Sequence, residues 1–464
     1  MEEKHISLEK SSAPPARKTD PPWLFFYDDG VRHHIEYPIV PLYYWLDQAS
    51  ERNPAALACS CRHTKITYAR LRKDAETVAA SLRAFGVMPG DAVGIMLPNL
   101  PQTIVAFWGV LKAGAVVTMI NPLYREKELV HQLRDADVRH LISYDACWPK
   151  FEKLREQLPV KRYYLTTEDE GLSFSANLLR YFRRRRAAVA PVPYDGKTVL
   201  PFSSLLKGRR RLSVPVDDPR GTPALLQYTG GTTGLSKGVM LTHYNIASNI
   251  VQMGELLRSL RGTPQTFMGV LPFFHVYGLN TCMVLPTLFH ANVAPVLRFS
   301  PRELLLSLEK YKATVLPGAP AMYISLLQQK DKERASLQSL KICICGSAPM
   351  PPDMIRQFEK TFGARIMEGY GLSEASPITH MTPAEGMRKV GSIGLPLPDT
   401  EARIVDMELG TVILPAGKMG ELMIRGPQVM SGYWNKPDET AGALRNGWLY
   451  SGDIAYMDED GFFI

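Results

Sequence analysis

The sequence predicts an α/β protein: two αβ-layered regions followed by a small all-β unit. Three observations carry this. From about Val40, short apolar runs alternate with amphipathic helices, the pattern of parallel sheets covered on both faces. That rhythm occurs twice, before and after a strongly basic segment. From about Val390, glycines, prolines and short β-branched runs take over, as in small β units. At 464 residues the chain is also too long for one compact core.

Residues 1–20 are polar, with Pro14 and Pro15, and the reading places a disordered tail over 1–30. Residues 91–97 read as a strand and 101–112 as a helix with Ile104, Trp108 and Leu111 on one face. Residues 116–120 form the next buried strand, and 125–135 a helix with Leu129 and Leu133 inward. This first region is assigned to 31–216, including a basic insertion at 178–211. The second, 217–389, has strands at 224–229, 268–271, 314–316, 342–345 and 365–368. Between them Ser300-Pro-Arg-Glu303 opens a helix with a capping box and proline at its first position. The helix from Pro352 turns Met354, Ile355, Phe358 and Phe362 inward and stops at Gly363. The β unit, 390–464, has strands at 402–405, 421–425 and 448–449.

The net charge is +8, yet ten Lys or Arg fall between Arg180 and Arg211 against one acid, Asp195. The rest of the chain is close to neutral, which argues against a nucleic-acid binder. Leu178-Leu-Arg-Tyr-Phe-Arg-Arg-Arg-Arg186 mixes aromatic and cationic residues, so contact with an anionic membrane surface stands beside a solvated insertion. The pairs Cys59/Cys61 and Cys343/Cys345 lack zinc-knuckle spacing, and the second alternates with isoleucines as a buried strand does. The apolar stretch 105–120 is interrupted by Lys112 and too short to span a bilayer. A soluble, cytoplasmic protein is expected, at most peripheral to a membrane.

Chemistry concentrates in Tyr228-Thr-Gly-Gly-Thr-Thr-Gly-Leu-Ser-Lys-Gly-Val239, directly after an apolar strand. Its glycines let backbone N–H groups approach an anion, its threonines add hydroxyl donors, and Lys237 adds a mobile charge. The order is not that of a Walker A loop. Composition alone supports polyphosphate binding, with a flexible surface loop as the alternative.

The dodecamer closely resembles the signature loop of the acyl-adenylate-forming superfamily, the AMP-binding enzymes. The resemblance extends from about Val40 to the last residue and is greatest to bacterial long-chain fatty-acid–CoA ligases. It rests further on Leu271-Pro-Phe-Phe-His-Val-Tyr-Gly-Leu279, Gly346-Ser-Ala-Pro-Met-Pro351, Met367-Glu-Gly-Tyr-Gly-Leu-Ser-Glu374, Gly420-Glu-Leu-Met-Ile-Arg-Gly426, Gly432-Tyr-Trp-Asn435 with Thr440, and Tyr450-Ser-Gly-Asp453. Gly230 and Ser373 stand where Ser and Thr are commonest. The resemblance implies two αβ-layered subdomains packed as αβαβα plus a small distorted β-barrel.

It implies ATP, Mg²⁺ and CoA as cofactor and co-substrates, and a fatty acid as substrate. Thr229, Gly230, Gly231, Thr232, Thr233 and Gly234 would hold the triphosphate with Lys237. Gly346, Ser347, Ala348 and Pro349 would lie against adenine, as would Glu368, Gly369, Tyr370 and Gly371. Ser373 would contact phosphate, Glu374 the metal, and Asp453 the ribose hydroxyls, while His275 would lie beside the acid. Aryl- or medium-chain acyl-CoA ligases, fatty-acyl-AMP ligases and a catalytically silent binding module are the alternatives. The family pattern continues past Gly461-Phe-Phe-Ile464 into an Asp-Arg hinge and a swinging C-terminal domain bearing a Lys. The chain is therefore expected to be part of a longer protein, and by itself weakly active or inactive.

Overall fold

A computed structural model describes residues 20–168, 192–208, 210–230, 235–330 and 337–464. Among them, three sheets organise the chain. An eight-stranded sheet runs in the order Gly432–Tyr433, Lys237–Thr242, Pro223–Thr229, Val116–Met119, Ala92–Met96, His140–Tyr144, Arg162–Thr166, Val199–Pro201. All its neighbours are parallel except the first two pairs. A nine-stranded sheet runs Leu395–Pro396, Ile378–Met381, Arg365–Gly371, Ile342–Cys345, Val315–Gly318, Thr266–Gly269, Asn292–Pro295, Leu57–Cys61, Thr64–Thr67. It is parallel in its centre and antiparallel at both edges.

Helices Tyr68–Ala84, Pro101–Lys112 and His243–Leu256 fill the space between these sheets, sharing one core with residues such as Ile95, Val117, Phe267 and Ile344. Leu129, Leu133 and Phe151 cover the outer face of the eight-stranded sheet. Leu304, Leu308, Phe358 and Phe362 cover that of the nine-stranded sheet. The layering is αβαβα, with a common helical layer in the middle. The Ser300 hydroxyl accepts from Glu303 N, one half of the expected capping box, and Gly363 ends its helix at φ 69°.

Pro101–Lys112 departs from its amphipathic reading, because all twelve residues are buried. A helix between two sheets has no solvent side, so a single inward face is not needed. The expected boundary at 216/217 also fails to divide the sheets. Pro223–Thr229 and Lys237–Thr242 extend the eight-stranded sheet, whereas Leu57–Cys61 and Thr64–Thr67 join the nine-stranded one. Edge strands go where an edge is open, not where the sequence is nearest.

The small β unit takes the form of a curled four-stranded antiparallel sheet: Glu401–Val405, Gly420–Arg425, Trp448–Ala455, Leu444–Arg445. Ile404, Leu422 and Ile424 pack with Trp23, Phe462 and Phe463. Trp23 lies in the short 3₁₀ turn Pro22–Phe26, and the Asp28 carboxylate accepts from the N–H groups of Ala384, Glu385 and Gly386. Residues 20–30 are thus ordered, against the expected tail. Trp23 is buried there, and Leu24, Phe26 and Tyr27 pack partly buried against the same cluster. The remainder of that tail, residues 169–191 (which include 178–191 of the basic insertion), Arg209, and Gly231, Thr232, Thr233 and Gly234 lie outside the described residues. No described helix is long and apolar enough to cross a membrane.

Candidate active site

The glycine–threonine stretch joins two antiparallel strands. Thr229 pairs directly with Lys237 across their ends, and Gly230 is exposed. The hairpin is anchored from outside: His131 Nε2 lies 2.7 Å from the Ser236 carbonyl, and Tyr228 donates to Asp135 at 2.6 Å. The Lys237 ammonium pairs with Glu439 and sits 5.2 Å from the centroid of the Tyr433 ring.

At the carboxyl ends of the nine-stranded sheet is a cleft. Ligands in open α/β sheets bind at such strand ends. His275, Gly346, Ser347, Gly369, Tyr370, Gly371 and Ser373 all line it, together with Tyr277, Ile344, Leu372 and Ile378. Ile342–Cys345 delivers Gly346, after which Ser347 turns at φ 73°. Ala348 and Pro349 are exposed on the rim. Tyr277 holds this loop's base by donating to Ile344 O at 2.8 Å. Gly371 is required sterically, because a Cβ there would run into the Pro377 carbonyl.

His275 caps the short helix Val276–Leu279, with Nδ1 accepting from Tyr277 N at 3.3 Å. Its ring is exposed on the cleft side, yet the protein packed around the rest pushes its pKa below the ordinary histidine value. The preceding turn is held by Asn99, which donates to Gly269 O and Leu271 O at 2.9 and 2.8 Å and accepts from Phe273 N at 2.9 Å. Gln227 donates to Phe274 O at 3.1 Å. Residues of one layer therefore fix the histidine loop of the other.

Tyr370, also in the cleft wall, donates to Asp453 Oδ2 at 2.5 Å. Burial, and then the Asp453 carboxylate, push the phenol's pKa up. Asp453 itself is exposed on Trp448–Ala455. Glu374 follows the buried Ser373 and accepts from Tyr433 at 2.8 Å through Oε1. Glu368 is not among the residues lining the cleft. Its carboxylate accepts from Met350 N at 3.4 Å, buttressing the Gly346 loop, and burial raises its pKa.

Sequence reasoning missed Asn99, Gln227, Tyr433 and Glu439. The first two carried no signal beyond being polar within apolar surroundings. Gly432-Tyr-Trp-Asn435 supports the family resemblance without a role assigned to it, and its Tyr433 contacts both Glu374 and Lys237.

The fold and this cleft are those of an adenylate-forming enzyme. The chain belongs to the AMP-binding enzyme family, whose profile matches residues 46–434. It is 41% identical over 445 residues to a long-chain-fatty-acid–CoA ligase of Bacillus subtilis (strain 168), covering 95% of this chain and 79% of that one. A ligase of the same name from Escherichia coli O6:H1 is 35% identical over 409 residues, 86% of this chain and 71% of that one. Among solved structures, a long-chain-fatty-acid-CoA ligase from Archaeoglobus fulgidus superposes with a TM-score of 0.79 at 25% identity, covering 93% and 84% of the two chains.

Proposed function

We propose that this protein activates long-chain fatty acids in two half-reactions. A carboxylate oxygen attacks the α-phosphorus of ATP, the bond to the β-phosphate oxygen breaks, and pyrophosphate leaves. The thiol of CoA, losing its proton, then attacks the acyl carbon of the adenylate and AMP departs. The first half needs no protein nucleophile, only positioning and neutralised charge.

The observation that carries the reading is the cleft lined by both His275 and Tyr370, with Asp453 bonded to the Tyr370 hydroxyl. Tyr370 offers a flat ring to adenine beside the Gly346–Ser347–Ala348–Pro349 backbone. Asp453 offers two acceptor oxygens to the vicinal ribose hydroxyls, in exchange for the Tyr370 hydroxyl it now accepts from. Thr229, Gly230, residues 231–234 and Lys237 would surround the triphosphate, and Ser373 would donate to phosphate. His275, kept neutral by its surroundings, suits a position beside an apolar acid.

The residues present also fit Mg²⁺ held largely by phosphate and water. Glu374 has one carboxylate oxygen taken by Tyr433 and the other without a partner among the described residues. Among those residues no group of three or more His, Cys, Asp or Glu converges into a protein-built site, and magnesium on nucleotides commonly takes only one or two carboxylates. Bound there, the ion would neutralise phosphate charge.

The test is ATP–pyrophosphate exchange, followed by CoA consumption, with a panel of acids. Exchange driven best by long-chain acids supports the proposal. Exchange driven only by arylcarboxylates overturns it, as does a chain that binds neither ATP nor an acyl-adenylate analogue.

A further inference from the structure

Tyr433 joins the two charged groups of the phosphate site. Its hydroxyl donates to Glu374 Oε1 at 2.8 Å. Its ring lies under the Lys237 ammonium at 5.2 Å. Lys237 comes from the hairpin of the eight-stranded sheet and Glu374 from the segment after Arg365–Gly371 in the nine-stranded one, so the tyrosine bridges two independent layers.

Its own placement is fixed from several directions. Gly432 and Tyr433 pair antiparallel with Met240 and Val239, two residues beyond Lys237. Trp434 N donates to Gly238 O at 2.7 Å, and the Trp434 indole donates to Asp135 O at 3.1 Å. Tyr433 N donates to the Thr440 hydroxyl at 2.9 Å. Glu374 is tied to the same segment, since its carbonyl accepts from Met430 N at 2.7 Å. A long side chain with this much backbone restraint holds its hydroxyl in one place.

We propose that Tyr433 is a positioning residue for the phosphate site, its hydroxyl aiming the Glu374 carboxylate at the nucleotide-bound cation and its ring seating Lys237. The inference rests on the reading of Glu374 and Lys237 as phosphate-site residues. It makes no claim that Tyr433 touches substrate. Hydroxyl and ring act on different partners, so they can be separated.

The experiment is calorimetric titration of the protein with ATP, once with Mg²⁺ and once with EDTA, alongside thermal unfolding. Tyr433→Phe keeps the ring and loses the donor. It should bind ATP in EDTA as the wild type does but lose about tenfold of the affinity that magnesium adds, the size of one hydrogen bond to a charged group. Tyr433→Leu should also weaken binding in EDTA, because the ring beneath Lys237 is gone. In a Glu374→Gln background, Tyr433→Phe should change the magnesium-dependent affinity by less than about twofold, since partners in one interaction are not additive. An unaltered magnesium increment in Y433F overturns the proposal. So does an equal loss with and without magnesium, or a Y433F chain that does not fold, either of which makes the residue merely structural. If the wild type itself shows no affinity for ATP, the nucleotide reading fails first and this inference with it.

Discussion

Two lysines of this protein sit in nearly the same chemical company and do different work. Lys112 ends the central helix Pro101–Lys112, with its ammonium 2.6 and 2.8 Å from the two oxygens of Asp47 and 4.8 Å from the centroid of the Tyr43 ring. Lys237 ends the glycine–threonine loop, paired with Glu439 above the Tyr433 ring. Each has a carboxylate and an aromatic face. Burial separates them: the Lys112 side chain is 0% exposed and that of Lys237 is 35%. A cation sealed from water cannot exchange its partner without stranding a charge, whereas one at a cleft edge can trade a carboxylate for a phosphate. Similar contacts thus mark a fixed structural knot in one place and a group open to a ligand in the other.

The largest expected effect breaks the buried knot. Lys112→Ala leaves Asp47 beside Glu76, with Arg72 as its remaining cation at 3.1 Å. Burial already pushes the Asp47 carboxyl up against the pull of Lys112. Denaturant unfolding should show a loss of about 3 kcal/mol, at the low end for a broken buried pair because Arg72 stays. Replacing both partners, Lys112→Met with Asp47→Leu, should recover most of it. ATP affinity should not move in any variant that remains folded. A loss under about 1 kcal/mol for Lys112→Ala would place this lysine with surface pairs, and the comparison would lose its first half.

That contrast also marks how far the sequence could be read. Lys112 stood out only as an interruption of an apolar run, and one charge in twelve residues was the available sign that the helix is buried all round. Its partner Asp47 lies far away in the chain, so no spacing rule connects them. The strands were legible because their periodicity is local, and the cleft was legible because Gly346, Tyr370 and Ser373 travel in short motifs. Sheet membership was not, since the 57–67 hairpin pairs with Asn292–Pro295, more than two hundred residues on. For the same reason Asn99 and Tyr433, which act through partners distant in sequence, were invisible as site residues.

The second test reverses the first. Lys237→Ala should leave unfolding free energy within about 0.5 kcal/mol, as for exposed ion pairs. The rate of acid-dependent pyrophosphate exchange should fall about 100-fold, typical of removing one preorganised charge-stabilising group. Loss of stability without loss of exchange would make Lys237 a second structural knot.

The smallest effect is expected at the partner acid. The Glu439 side chain is 37% exposed, and at physiological salt charges near water are screened over about 8 Å. Glu439→Gln should therefore change stability by less than about 0.5 kcal/mol, far below the cost at Lys112. Its effect on ATP has a sign fixed by competition. In the free protein the carboxylate occupies the ammonium that the triphosphate would use. Removing its charge should tighten ATP by roughly two- to threefold at low salt, within the range of one exposed pair, and the gain should fade near 1 M salt as screening removes the competitor. Titrating wild type and variant across ionic strength reads both quantities. Weaker binding in the variant at every salt concentration would mean that Glu439 holds Lys237 where the phosphates need it, and that the exposed pair is as fixed in purpose as the buried one.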